Sequence, residues 1–123
     1  GGEAALLAGD LEARGERRLL ARHRRLRAEV LVVPHHGSRS SSTPAFVAAV
    51  RPRYAVFPVG YRNRYRFPAS EVVARYRAAG ARVLETQATG ALRFVLDGRP
   101  GLGPPWAYRE AARRLWHDAP RGP

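Results

Sequence analysis

The chain reads as an α/β protein built on a largely parallel sheet. Three observations point there. Short apolar runs at residues 30–33 and 54–59 are continuous rather than alternating, as in strands buried on both faces. Between them lie segments with helical spacing and helix-start chemistry. Strand and helix alternate in the order strand, helix, strand, helix, strand, helix, strand, strand, which is the pattern of βα units. No internal repeat is visible.

Taken in order, Gly1-Gly2 resembles a hairpin turn and residues 4–8 a short strand ending at Gly9-Asp10. A domain rarely begins inside a hairpin, so the chain is expected to start mid-domain. Residues 11–27 read as a helix with Leu11, Leu19, Leu20 and Leu26 on one face. Glu12 and Glu16 lie near its start and Arg22, Arg24, Arg25 and Arg27 near its end, as the macrodipole prefers. The next strand, 29–33, ends at Pro34, which cannot donate to a ladder. Thr43 and Pro44 then open a short helix as cap and first residue, and Pro52 stops it. A strand at 54–59 leads into a loop at 60–68 dense in Arg and aromatic residues. Ser70 is expected to cap a helix ending at Gly80. Residues 81–86 and 91–96 read as a hairpin across 87–90. Residues 1–98 therefore form the expected domain. Residues 99–123 read as a Gly/Pro linker and an amphipathic helix at 106–117, with Trp106, Tyr108, Leu115 and Trp116 as packing side chains.

At 123 residues there is room for one domain with a modest core, and a 45% hydrophobic content excludes a disordered chain. No apolar run reaches membrane-spanning length, so the chain is expected to be soluble, though it reads equally as a piece of a membrane protein. The absence of Cys excludes disulfides and thiolate metal sites. The formal net charge is +12, and all 22 basic residues are Arg. The planar guanidinium fork suits phosphate, so a polyanion is the expected partner, nucleic acid first and an anionic membrane second. A strongly G+C-biased genome yields the same composition.

The chemistry concentrates at residues 30–38, VLVVPHHGS, where a buried strand releases His35 and His36 into a Gly/Ser loop. Taken alone, the pair is a turn that contains histidine, and Asp10 is the N-cap of the following helix. Taken together, Asp10 and the histidines stand at the ends of successive strands of one layer, where strand ends meet a common crevice. A carboxylate with imidazole suits zinc or manganese. Side chains of an extended segment alternate, so His35 and His36 are not expected to face one metal together. One is left as ligand and the other for substrate or outer-shell support. Ser38 reads as a loop residue or a phosphate ligand, and Asn63 as a turn residue or a substrate contact. Arg62, Arg64 and Arg66, interleaved with Tyr61, Tyr65 and Phe67, suit single-stranded nucleic acid or a solvated loop with aromatic anchors. His23, among arginines on a helix, reads as surface.

Several stretches resemble one known family: LLAGDLEARGERRLL, VLVVPHHGSRSSSTPAFVAAVRPRYAV, GYRNRY, ARVLETQATGALRF and the closing YREAARRLWHD. The first four, over residues 3–96, are similar to the soluble domain at the end of ComEC-type DNA-internalisation (competence) proteins, and the closing stretch resembles the tail of proteobacterial members. The resemblance implies the C-terminal half of a metallo-β-lactamase-like αββα sandwich. In that fold the strand-end Asp, matching Asp10, bridges two metals, and a later strand-end His, matching His35 or His36, completes one sphere. The family's HxHxDH cluster would lie before Gly1. The implied function is metal-dependent phosphodiester hydrolysis of incoming DNA in transformation. Asp10, His35 and His36 would be the catalytic and metal-holding residues, and Ser38, Arg62, Asn63, Arg64 and Arg66 the nucleic-acid contacts. The alternative is a non-catalytic DNA-binding or structural module on the same fold. Implied partners are DNA, the preceding half of the domain and a membrane channel, with the domain on the periplasmic side of a bacterial inner membrane. Arg66-Phe67-Pro68 departs from the family, many of whose members carry His-Pro there.

Overall fold

The computed structural model describes residues 3–111. Strands β1 (Ala5–Leu7), β2 (Val30–Val32), β3 (Tyr54–Phe57) and β4 (Arg82–Glu85) form one sheet in sequential order, every neighbouring pair parallel. Helices α1 (Ala13–Arg22), α2 (Pro44–Val50) and α3 (Ser70–Ala78) make the three crossovers. The expected parallel α/β sheet is therefore present.

Register decides which side chains meet which layer. Leu6, Leu31, Ala55 and Val83 are paired across the sheet and share one face. That face packs against Leu19 of α1, Phe46, Val47 and Val50 of α2, and Val72 and Tyr76 of α3. Val30, Tyr54, Val56 and Leu84 point the other way and meet Leu92, Phe94 and Leu102 from the C-terminal segment. Each fully buried Phe or Val contributes roughly 1.5–3 kcal/mol by leaving water. The cover on the second face stops short of β1, where Leu7 remains 77% exposed.

Several boundaries differ from the sequence reading. Helix α1 runs from Ala13 to Arg22 rather than 11–27, and its N-cap position is Glu12, not Asp10. Strand β3 stops at Phe57 because Pro58 follows, and Ala69, not Ser70, occupies the N-cap position of α3. Thr43 caps α2 as expected, its Oγ1 accepting from the Phe46 N–H at 3.3 Å, with Pro44 as first residue.

The expected hairpin of 81–86 with 91–96 does not form. After β4 the chain makes one helical turn, α4 (Thr86–Thr89), and Gly90 at φ 66° sends it across the second face. There β5 (Leu92–Arg93) pairs antiparallel with β6 (Trp106–Ala107). Trp106 and Ala107 are accordingly strand rather than the start of the expected helix, and α5 (Tyr108–Ala111) follows them. The remainder of that helix, with Leu115, Trp116 and His117, lies outside the described residues. The Gly/Pro stretch is anchored, since Leu102 is buried and its carbonyl accepts from Arg53 Nη1 at 2.9 Å. No helix among the described residues is long and apolar enough to cross a membrane.

Glu16 of α1 is completely buried. Its carboxylate accepts the backbone N–H groups of Ser42 and Thr43 at the start of α2. Ser42 Oγ pairs with Tyr76 Oη at 2.8 Å, and burial pushes the Tyr76 phenol far above its ordinary value. In return, the Ser40 carbonyl accepts from the Ala13 N–H of α1 at 2.9 Å. The segment after the histidines is thus fixed at both ends.

Two outcomes follow. Replacing Gly37 by Ala should destabilise the chain by about 1–3 kcal/mol, since a Cβ there lies 2.7 Å from Phe57 and Pro68 and φ is +84°. Gly60→Ala, with nothing within 4 Å, should stay within about 0.5 kcal/mol of wild type in the same denaturant titration. Second, the chain alone should bind a hydrophobic dye through the uncovered part of the sheet, and Leu7→Lys should reduce that signal. Unchanged fluorescence in the variant would place the apolar surface elsewhere.

Candidate functional site

Because the four strands are parallel, their C-terminal ends emerge on one edge of the sheet. The strand order never reverses, so no crevice arises from a topological switch. Loops make it instead. A cleft of about 490 Å³ is lined by Asp10 after β1, His35 and His36 after β2, and Pro58, Val59, Gly60, Asn63, Tyr65 and Phe67 after β3.

The loops are tied together by backbone bonds. The His35 N–H donates to the Gly9 carbonyl at 2.8 Å, which sets Asp10 beside the histidines. The Ala69 N–H donates to the Gly37 carbonyl at 3.0 Å. Thr86 clasps the end of β3: its Oγ1 accepts from the Val59 N–H at 3.0 Å and lies 2.9 Å from the Val59 carbonyl.

His35 and His36 are not in extended backbone. Both sit in the left-handed region, at φ 48° and 55°, within a 3₁₀ turn at Pro34–Gly37. The expected alternation of their side chains is therefore replaced by a tight turn that lets both rings, 6.5 Å apart, line the cleft. Non-glycine residues adopt such backbone uncommonly, and His does so more readily than most.

The two imidazoles have different partners. His36 Nδ1 lies 2.8 Å from the Pro58 carbonyl. A carbonyl only accepts, so Nδ1 carries the proton and the neutral ring keeps its lone pair on Nε2. Nε2 lies 4.0 Å from Asp10 Oδ1. His35 Nδ1 faces Glu12 Oε1 at 3.4 Å and Ser40 Oγ at 3.3 Å. Ser40 in turn donates to Glu12 and meets Ser38 Oγ at 3.1 Å.

The Asp10 carboxylate, 81% exposed, adds little to stability as an ion pair. Its geometry has another reading. At a tetrahedral angle two metal–ligand bonds of about 2.0–2.2 Å span roughly 3.4 Å, so Asp10 and His36, 4.0 Å apart, need to close by about half an ångström to share one ion. Among the described residues, no group of three or more His, Cys, Asp or Glu is placed to hold a metal. The residues present fit part of a coordination sphere and not a whole one.

The 60–68 loop is folded by Asn63, whose Oδ1 accepts from the Phe67 N–H at 2.8 Å while Nδ2 donates to the Phe67 carbonyl at 2.9 Å. Phe67 reaches both imidazoles, 6.1 Å from His35 and 6.2 Å from His36, and is stacked on the latter. Arg62 lies over Tyr61 and Arg64 over Tyr65. Neither these two nor Arg66 pairs with a carboxylate among the described residues. Arg39 differs, being paired with Glu71.

Sequence reasoning did not find Glu12, Pro58 or Thr86. Glu12 sits two residues after Asp10, which is the one local signal that it shares the site.

No protein-family model matches the chain, and no solved structure matches it significantly. Curated relatives do. The chain is 46% identical over 103 residues to "Competence protein ComA" of Neisseria gonorrhoeae, covering 83% of this chain and 15% of that protein. It is 34% identical to "ComE operon protein 3" of Bacillus subtilis, covering 82% of this chain and 13% of the relative. It is also 34% identical to "Recombination protein 2" of Haemophilus influenzae, covering 76% and 12%. The chain thus spans between 12 and 15% of the length of these relatives. The chain belongs to this competence-protein family, as the counterpart of one segment of those longer proteins.

Proposed function

We propose that the chain is the part of a DNA-uptake protein that acts on the phosphodiester backbone of incoming DNA. The relatives' names support the DNA-uptake role. The observation that carries the chemistry is the Asp10–His36 pair, with the His36 ring held by the Pro58 carbonyl so that Nε2 faces Asp10. In this reading the sheet is the C-terminal half of a metallo-β-lactamase-like sandwich. The preceding half, in the parent protein, supplies the other metal ligands, and the domain stands beside a membrane channel on the periplasmic side.

Each residue has a defined task. Asp10 and His36 would hold one side of a divalent metal site, at which zinc or manganese would supply Lewis acidity. In its protonated form His35, steadied at Nδ1 by Glu12, donates from Nε2–H to a phosphate oxygen or gives that proton to the leaving oxygen. Arg62, Arg64 and Arg66, on the loop that lines the cleft, neutralise backbone phosphates, and the Ser38 hydroxyl, held by Ser40, adds a further phosphate contact. Asn63 acts by shaping the loop.

A second reading keeps the DNA contact without hydrolysis. The apolar Phe67 ring beside both imidazoles favours it.

In the parent protein, Asp10→Asn and His36→Ala should each weaken manganese or zinc binding by more than the roughly 10–100-fold that follows loss of an outer-shell partner. Both should abolish cleavage of linear DNA. Wild-type cleavage and metal affinity in both variants would remove these residues from the chemistry. DNA binding by a wild-type parent that never cleaves with either metal would establish the second reading.

A further inference from the structure

Three rings form a continuous row out of the cleft. Tyr65 stacks on Phe67 at 5.8 Å with planes 20° apart, and Phe67 stacks on His36 at 6.2 Å, also 20° apart. Both steps lie within the separations of offset-stacked rings. The inner end of the row is the imidazole that faces Asp10. The outer end, Tyr65, is 66% exposed, although it lies on a loop that Asn63 otherwise folds tightly.

Structural packing accounts for Phe67, which is partly buried against the core; Tyr65 stays exposed at the end of the stack, with Arg64 5.4 Å from its ring centroid. The same loop carries Arg62, Arg64 and Arg66, none of them paired with a carboxylate among the described residues. Ring planes that recur in one direction, flanked by guanidinium groups, match a polymer with flat bases on one side and phosphates on the other. Only an unpaired strand offers base faces, because a duplex buries them in its own stack.

We propose that the Tyr65–Phe67–His36 row is a stacking platform for unpaired bases, so that the cleft takes single-stranded nucleic acid, with Tyr65 as the residue that receives a base. This deepens the reading of the cleft as a phosphodiester-processing site and rests on it for the role of Asp10 and His36. A base stacked on Tyr65 displaces the Arg64 guanidinium from that ring to the adjoining phosphate and sets the backbone along the row toward His36. The arginines of the loop meet the phosphates, and the row sets which strand form enters.

The test uses the parent protein with metal chelated, so that binding is read without hydrolysis. The probes are a fluorescein-labelled oligothymidylate and a hairpin duplex with the same number of nucleotides. Tyr65→Leu keeps the apolar bulk and removes the ring. It should weaken oligothymidylate binding roughly five- to a hundredfold, as loss of one base–aromatic stack does, and change duplex affinity less than about twofold. Tyr65→Trp should preserve oligothymidylate affinity, and its added fluorescence should be quenched as the oligothymidylate binds. Equal loss for both probes in Tyr65→Leu would show a general electrostatic or folding effect and overturn the proposal. So would unchanged oligothymidylate affinity in Tyr65→Leu, or a Tyr65→Trp signal indifferent to it. Failure of the metal reading appears separately, as unaltered cleavage in Asp10→Asn, and leaves these binding results in force.

Discussion

The hydrogen bond between His36 Nδ1 and the Pro58 carbonyl is the constraint on which the rest of the cleft depends. It joins the loop after β2 to the loop after β3, chooses the tautomer of the ring and aims Nε2 at Asp10. Each end of that bond is held from elsewhere. Gly37 lets Phe57 and Pro68 approach the turn to a distance no side chain there would permit. Thr86 fixes Val59, next to the accepting carbonyl, by binding both its N–H and its C=O. The site is therefore an outgrowth of sheet register. Parallel pairing brings the strand ends to one edge, and side-chain clasps hold the loops where the ladder stops.

Charged groups in this small protein are divided between building and binding. Glu16 is sealed in the core as an acceptor for the start of α2, where a buried carboxylate is tolerable because two backbone N–H groups meet it. Glu12, four residues earlier at the N-cap of the same helix, stays exposed and meets His35. Arg39 is tied to Glu71, whereas the arginines of the 60–68 loop lie over aromatic rings. The positive charge near the cleft is thus left without carboxylate partners among the described residues, beside flat aromatic surfaces, which is a surface suited to a polyanion that also carries rings.

How much of this was legible follows from how local each cause is. The strands at β2 and β3 were readable because short continuous apolar runs that stop at a proline have few other uses. Placing Asp10 near the histidines needed only parallel pairing of successive strands. The Thr43-Pro44 helix start was readable from two adjacent residues. The hairpin expectation failed because the partner of Leu92 is Ala107, and no spacing in the chain records a pairing across that Gly/Pro stretch. The burial of Glu16 was out of reach because its partners lie in the loop before α2. The left-handed turn at both histidines was also out of reach, since residue type permits it without requiring it. Three causes that sequence does not display, namely Pro58, Thr86 and Glu12, are backbone or long-range contacts made after folding.

The central claim is that His36 is held with its proton on Nδ1 and its Nε2 lone pair directed at Asp10. Long-range proton–nitrogen NMR of the histidine rings, in protein labelled at imidazole nitrogen, reads this directly. The account predicts that the neutral form of His36 is the Nδ1–H tautomer, the less common one for free imidazole, with the Nε2 resonance moving on addition of zinc. A His36 protonated at Nε2, with no change on adding zinc, would contradict it.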